Sequence, residues 1–202
     1  MIKTIIFDFG GVLVRTGDPA GRREWEQRLN LAAGELERVV HGSELWANAQ
    51  RGLVSVDGYW QGVADYLGLS ARDIPALRND YFRDDFLDRD LMALIASLRA
   101  QGYKVGLLSN DAATLEAKLR DALAIYDQFD AVIISATIGV MKPEAGAYEA
   151  IVRALNVTPD ECIFIDDNLT NIAGAQRFGM QTIHYISGMD VRITLAPFLK
   201  GD

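Results

Sequence analysis

Five short runs of apolar, β-favouring residues constrain this chain more than any other feature: KTIIFDF (3–9), YKVGLLS (103–109), AVIIS (131–135), CIFIDD (162–167) and QTIHYIS (181–187). Their apolar character is continuous rather than alternating, the pattern of strands covered on both faces. Beyond residue 86 they alternate with helical periodicity. Leu91, Leu94, Ile95 and Leu98 share one helical face, with Gly102 placed to end that helix, and further helices are expected over 111–124, 144–155 and 169–178, the last closed by Gly179. Strands alternating with crossover helices predict an α/β chain with a Rossmann-like parallel sheet core.

The interval between the first two of these runs does not fit a simple crossover. From Thr16 to Asp85 no strand signal occurs, whereas REWEQRLNLAAGELERVV, SELWANAQ, DGYWQGVADYLGL and ALRNDYF read as helical. Seventy residues far exceed an ordinary connection, so residues 16–85 are expected to form an inserted helical cap over a core built from 1–15 and 86–202. Such a cap would lie above the carboxyl edge of the sheet, where ligands bind in folds of this kind.

Composition narrows the partners. With 202 residues, half of them hydrophobic, the chain has enough material for a sizeable core. A formal net charge of -8 argues against a surface that tracks nucleic acid or anionic lipid. The single Cys162, inside an apolar run, excludes an internal disulfide and reads as core. No stretch approaches the apolar length of a membrane span, and the apolar run at the start is broken by Asp8 too early for a signal peptide. The expected location is the cytoplasm.

The polar residues at the strand ends point to chemistry. Asp8, Ser109 with Asn110, Lys142, and the Asp166-Asp167 pair all fall at or just beyond the carboxyl ends of separate strands, so the fold brings them to one edge. Each alone is unremarkable as a turn former, a helix cap or a solvated lysine. Together they supply three carboxylates, an amine and a hydroxyl. Carboxylate oxygens with a backbone carbonyl make a hard-ligand site suited to Mg2+ and a substrate phosphate. Lys142, Ser109 and the amides of a helix starting after Asn110 would hold phosphate oxygens, and Asp8 would attack phosphorus as the nucleophile.

Four segments in order, FDFGGVL, LLSN, GVMKPEAGAY and FIDDNLTNIAGA, make the sequence similar to haloacid dehalogenase-like hydrolases. Within them it resembles the helical-cap phosphatases, such as bacterial glucose-1-phosphate phosphatases and the phosphatase domain of soluble epoxide hydrolases. The resemblance implies a magnesium-dependent phosphatase of small phosphorylated metabolites, with sugar phosphates among them. It makes Asp8 the nucleophile and a metal ligand, Asp167 a metal ligand, and Gly10 the donor of a carbonyl oxygen, with Asp166 and Asn171 supporting the metal and Lys142. Trp46, Asn48 and Arg51 occupy a stretch that approaches the active site in similar proteins.

One position departs from the pattern. Most such phosphatases carry Asp two residues after the nucleophile as the general acid and base, and here Gly10 stands there. General acid-base catalysis contributes about 10²- to 10⁴-fold, so substrates with good leaving groups are favoured unless water or a cap residue supplies the proton. Three alternatives stay open at this point: a metal-independent 2-haloacid dehalogenase, a sugar-phosphate mutase, and a binding protein with weak turnover. His41 and His184 have no motif around them and are expected to be structural or solvated.

Overall fold

The computed structural model describes residues 1–199. A five-stranded parallel sheet runs through its centre in the order β5-β4-β1-β6-β7, formed by β1 (Thr4–Phe7), β4 (Lys104–Ser109), β5 (Ala131–Ile134), β6 (Cys162–Asp166) and β7 (Gln181–His184). These are the five runs expected from the sequence. The reason for their continuous apolar character is visible in the two faces. Ile5, Phe7, Val105, Leu107, Ile163 and Ile165 pack in one apolar cluster with Leu91, Leu94, Ile95 and Leu98 of α6 (Arg89–Ala100). Ile6, Leu108 and Phe164 point the other way, into a second cluster with Tyr148, Ile151 and Leu155 of α9 (Ala145–Leu155) and Ile172 and Ala175 of α10 (Leu169–Phe178). Successive residues of a strand alternate between faces, and both faces are covered.

β1 pairs with β4 on one side and β6 on the other, with Phe7 level with Leu107 and Ile165. The chain therefore leaves β1, builds outward through β4 and β5, then crosses over to β6. The crevice at such a reversal is where open α/β sheets hold ligands.

Between β1 and β4 lie the helices α1 (Ala20–Leu29), α2 (Glu35–Val40), α3 (Glu44–Gln50), α4 (Val56–Tyr66) and α5 (Ile74–Phe82). They enclose an apolar cluster of their own, with Trp25, Leu36, Val40, Tyr59, Trp60, Leu77 and Tyr81 buried. The helical reading of this interval needs two corrections. Residues 23–40 are not one helix: Asn30 takes left-handed backbone (φ 53°) and ends α1. Short strands flank the interval as well, β2 (Val14–Thr16) and β3 (Asp85–Leu87) pairing antiparallel. The boundaries expected at 15/16 and 85/86 fall inside this ribbon.

The helix expected over 111–124 is also different. Helix α7 covers only Leu115–Ala117 before a π-helical turn over Lys118–Ala122. Residues 111 and 112 stay outside because the Asp111 carboxylate accepts the Ala112 amide at 2.7 Å and the Asp111 amide donates to Ser135 Oγ at 3.0 Å. Side-chain bonds of this kind compete with the helical ladder. Ser135 begins α8 (Ser135–Ile138), and α11 (Val191–Leu195) follows β7.

Candidate active site

The carboxyl ends of β1, β4 and β6 gather the predicted polar residues. Asp8 follows β1, its amide donating to the Ile165 carbonyl at 2.9 Å, so β6 holds the backbone beneath it. Its Oδ1 accepts the Phe9 amide at 2.7 Å and meets Lys142 Nζ at 2.7 Å. Lys142 is 2% exposed, and its ammonium also donates to Asp166 Oδ2 at 2.8 Å and to the Leu108 carbonyl at 2.9 Å. One cation is thus shared by two carboxylates and a carbonyl.

Asp166 is saturated. Its Oδ1 accepts the Asn168 amide at 2.7 Å, and both oxygens face Asn171 Nδ2 at 3.1 and 3.2 Å. Ligand atoms of Asp8, Asp166 and Asp167 can lie within 4.8 Å of one another. Because the Asp166 oxygens already have partners, Asp8 and Asp167 are the carboxylates left to face a cation. The cluster of hard oxygen donors fits Mg2+. Burial pushes Asp8 up to about 8 against the pull of Lys142, and it raises Asp167 too, with the Asp166 charge adding to the effect. Burial opposes the Lys142 ammonium, yet the two carboxylates outweigh it and its pKa is raised. With all three carboxylates ionised the site would carry more negative charge than one lysine balances; the raised Asp8 and Asp167 record that cost, which a bound cation would offset.

The turn after Asp8 makes room for this cluster. Gly11 has φ +80°, and a Cβ placed on it would lie 2.1 Å from Asp167 Oδ2. Only a residue without a side chain lets the chain leaving β6 bring Asp167 so close. Gly10 is different: a Cβ there would meet nothing within 4 Å, so no steric demand fixes glycine at that position.

The other expected residues divide. Ser109 is buried at the end of β4. The Asn110 side chain is already occupied: its Nδ2 donates to the Lys142 carbonyl at 2.8 Å and its Oδ1 accepts the Lys142 amide at 2.8 Å, tying the lysine loop to β4. Trp46 packs within the helical insert, its ring centroid 5.2 Å from those of His41 and Tyr59. The Asn48 carbonyl accepts the Leu53 amide at 2.9 Å in the turn that ends α3. Arg51 pairs with Glu144 at 2.6 Å, joining the insert to the segment that carries Lys142. Three residues that sequence reasoning did not single out also matter. Gln50 Nε2 donates to the Asn110 carbonyl at 2.8 Å, Tyr148 donates to the Asn171 carbonyl at 2.7 Å, and Gly11 admits Asp167. Gly11 had a sequence signal in the glycine doublet and Tyr148 in the GVMKPEAGAY segment that it closes, whereas Gln50 had none. His184 Nε2 lies 3.0 Å from the Asp167 carbonyl, and His41 Nδ1 lies 3.1 Å from the Tyr81 hydroxyl. Among the described residues no helix is long and apolar enough to cross a membrane.

A family model for haloacid dehalogenase-like hydrolases matches residues 2–179. The chain is 30% identical over 193 residues to a phosphatase of Mycobacterium tuberculosis, covering 89% of this chain and 85% of that protein. It is 27% identical over 210 residues to the D-ribitol-5-phosphate phosphatase of Bacteroides thetaiotaomicron, covering 99% and 100% respectively. A solved haloacid dehalogenase family enzyme from the same bacterium, in complex with magnesium and inorganic phosphate, shares the fold with a TM-score of 0.74 at 22% identity, over 94% of this chain and 97% of that one.

Proposed function

The chain belongs to the haloacid dehalogenase-like hydrolases, and we propose that it is a magnesium-dependent phosphatase of a small phosphorylated metabolite, with residues 16–85 as the cap over its site. The observation that carries this reading is the surplus of carboxylates around one buried lysine: Asp8, Asp166 and Asp167 against Lys142. Asp8 and Asp167, with the Gly10 carbonyl, would hold Mg2+, which supplies charge neutralisation between Asp8 and an anionic phosphorus.

The chain's own residues then have separate tasks. Asp8 attacks phosphorus with the oxygen not engaged by the Phe9 amide and Lys142, forming a phospho-aspartate. Lys142 meets the developing charge on the phosphoryl oxygens, and Ser109 offers a hydroxyl. Asp166 and Asn171 hold Lys142 in place. Asn110 acts through the backbone around Lys142. D-ribitol-5-phosphate, in the name of one relative, makes a polyol or sugar phosphate the first class of substrate to try.

A dehalogenase attacking carbon needs no metal, and for it Asp167 would only add negative charge beside an anionic substrate. The two readings separate cleanly. With Mg2+ the protein is expected to release phosphate from p-nitrophenyl phosphate and no halide from 2-haloacids; chelator-insensitive halide release would replace phosphatase by dehalogenase. A second expectation concerns the metal itself. EDTA, or Asp167→Asn, should slow p-nitrophenyl phosphate hydrolysis by about 100-fold, the range seen when one electrostatic stabiliser is lost. A rate within about threefold of the native one, under 1 kcal/mol, would remove Asp167 from the metal site.

A further inference from the structure

The turn that ends α3 touches the Lys142 segment at both of its ends. Gly52 takes left-handed backbone there (φ +70°), and a Cβ on it would lie 2.5 Å from the Ala136 carbonyl oxygen, so glycine lets the turn press against α8. Arg51 meets Glu144 at 2.6 Å. Lys142 lies between Ala136 and Glu144 in the chain. A third contact falls on the end of β4, where Gln50 Nε2 donates to the Asn110 carbonyl at 2.8 Å. Three consecutive residues of the insert thus grip the core around one lysine.

The bond to Asn110 leads to the nucleophile. The Asn110 side chain donates to the Lys142 carbonyl and accepts from the Lys142 amide, both at 2.8 Å, so one primary amide fixes the peptide planes on either side of the lysine. It can do so only while Asn110 is itself held. Strand β4 holds it from below through Ser109, and Gln50 holds its carbonyl from above. The Lys142 ammonium then stands 2.7 Å from Asp8 Oδ1, with Asp166 and the Leu108 carbonyl as its other partners. From Gln50 through Asn110 and Lys142 to Asp8, no link is longer than 2.8 Å.

Resting on the phosphatase reading, we propose that Gln50 is a positioning residue for phosphoryl transfer: it fixes Asn110, and through it the backbone of Lys142, so that the ammonium is aimed while the α3 turn is seated on the core. Its neighbours keep that turn seated. The Arg51–Glu144 pair is partly exposed at both ends and open to screening by salt, so it contributes little by itself, whereas Gly52 supplies the close approach. The leverage of Gln50 is geometric, because a misplacement of about 1 Å far from the chemistry can cost about 100-fold in rate. Asp167 is placed by the chain leaving β6 and by the space above Gly11, not by this relay. Rate and metal affinity should therefore respond separately.

The test compares the native protein with Gln50→Met, which keeps the length of the side chain and removes its donor. With Mg2+ and p-nitrophenyl phosphate, kcat should fall by about 10- to 100-fold, while KM and the Mg2+ activation midpoint stay within about threefold of native. Gly52→Ala, which pushes the same turn away from Ala136, should give the same separation of kcat from KM. A double-mutant cycle tests the route. Asn110→Ala keeps the carbonyl that Gln50 bonds and removes the link to Lys142, so it should be slow alone, and adding Gln50→Met should slow it by less than about twofold more. A native kcat in Gln50→Met, with or without a lower Tm, a rise in KM that accounts for the loss, or losses that multiply in the double variant would overturn the role of Gln50 and leave the phosphatase reading standing. A native protein that releases phosphate from neither p-nitrophenyl phosphate nor ribitol 5-phosphate would overturn that reading and this role with it.

Discussion

Lys142→Met is expected to lose both folding stability and catalysis. In the native protein one ammonium sits between Asp8 Oδ1 at 2.7 Å and Asp166 Oδ2 at 2.8 Å, with almost no exposure to water. Methionine fills a similar volume and leaves two buried carboxylates without their cation. Removing one partner of a buried ion pair costs about 3–5 kcal/mol, a large share of the stability of a domain this size. The loss should depend on pH, and the sign follows from Asp8. Burial already holds its folded pKa at about 8, and without Lys142 it rises further. A carboxyl raised above its unfolded value of about 4 binds its proton more tightly in the native state, so stability falls as pH rises from there. Thermal melts of metal-free protein should therefore show a larger decrease in Tm for the variant at pH 8 than at pH 5. Phosphate release should decrease by about 10²- to 10³-fold, since the charge that meets the phosphoryl oxygens is gone. Lys142→Arg should not restore it, because a planar guanidinium does not fit a pocket shaped for three contacts to one nitrogen. A variant with native Tm at both pH values would show that the two carboxylates do not depend on this cation.

The same lysine shows how far the sequence could be read. The five sheet strands were legible because residues such as Ile5, Ile6 and Phe7, or Ile163, Phe164 and Ile165, are covered from both sides, and a run of apolar residues records that directly. Asp8, Lys142, Asp166 and Asp167 were legible as a set because a parallel sheet brings strand ends to one edge. Smaller features left no periodic signal. Three residues in β2 and three in β3 are too few to show a repeat, and they become strands only by meeting each other across the insert. Asp111 left the expected helix because Ser135, distant in sequence, captures its backbone. Asn110 reads as a phosphate ligand, and the structure adds that its side-chain amide spans the backbone of Lys142. Arg51 reads as a substrate residue, and the structure adds Glu144 beside it. In each case the structure supplies a tertiary partner, and a single sequence does not carry pairings.

The two adjacent glycines after Asp8 should respond in opposite ways to the same change. At Gly10 an added methyl group meets nothing within 4 Å, so Gly10→Ala is expected to keep its metal dependence and most of its rate. At Gly11 the methyl carbon would fall 2.1 Å from Asp167 Oδ2 and 2.5 Å from its Cγ, far inside contact distance, and φ +80° is strained for alanine even with space around it. Either Asp167 is driven off the cluster or the turn that aims Asp8 is remodelled. The backbone strain alone costs about 1–3 kcal/mol. Displacing a residue that orients a ligand typically weakens metal affinity by about 10- to 100-fold, and a displaced ligand itself should do at least as much. Titrating Mg2+ against phosphate release should show the activation midpoint of Gly11→Ala raised by about 100-fold or more, with a lower plateau from the misaimed nucleophile. The Gly10→Ala midpoint should stay close to native. Isothermal titration of Mn2+ into the two variants gives a readout independent of turnover, and circular dichroism separates a local change from unfolding. If Gly11→Ala bound metal as the native protein does, Asp167 would have to sit well away from the turn, and the site would lose the contact that makes its second carboxylate a ligand.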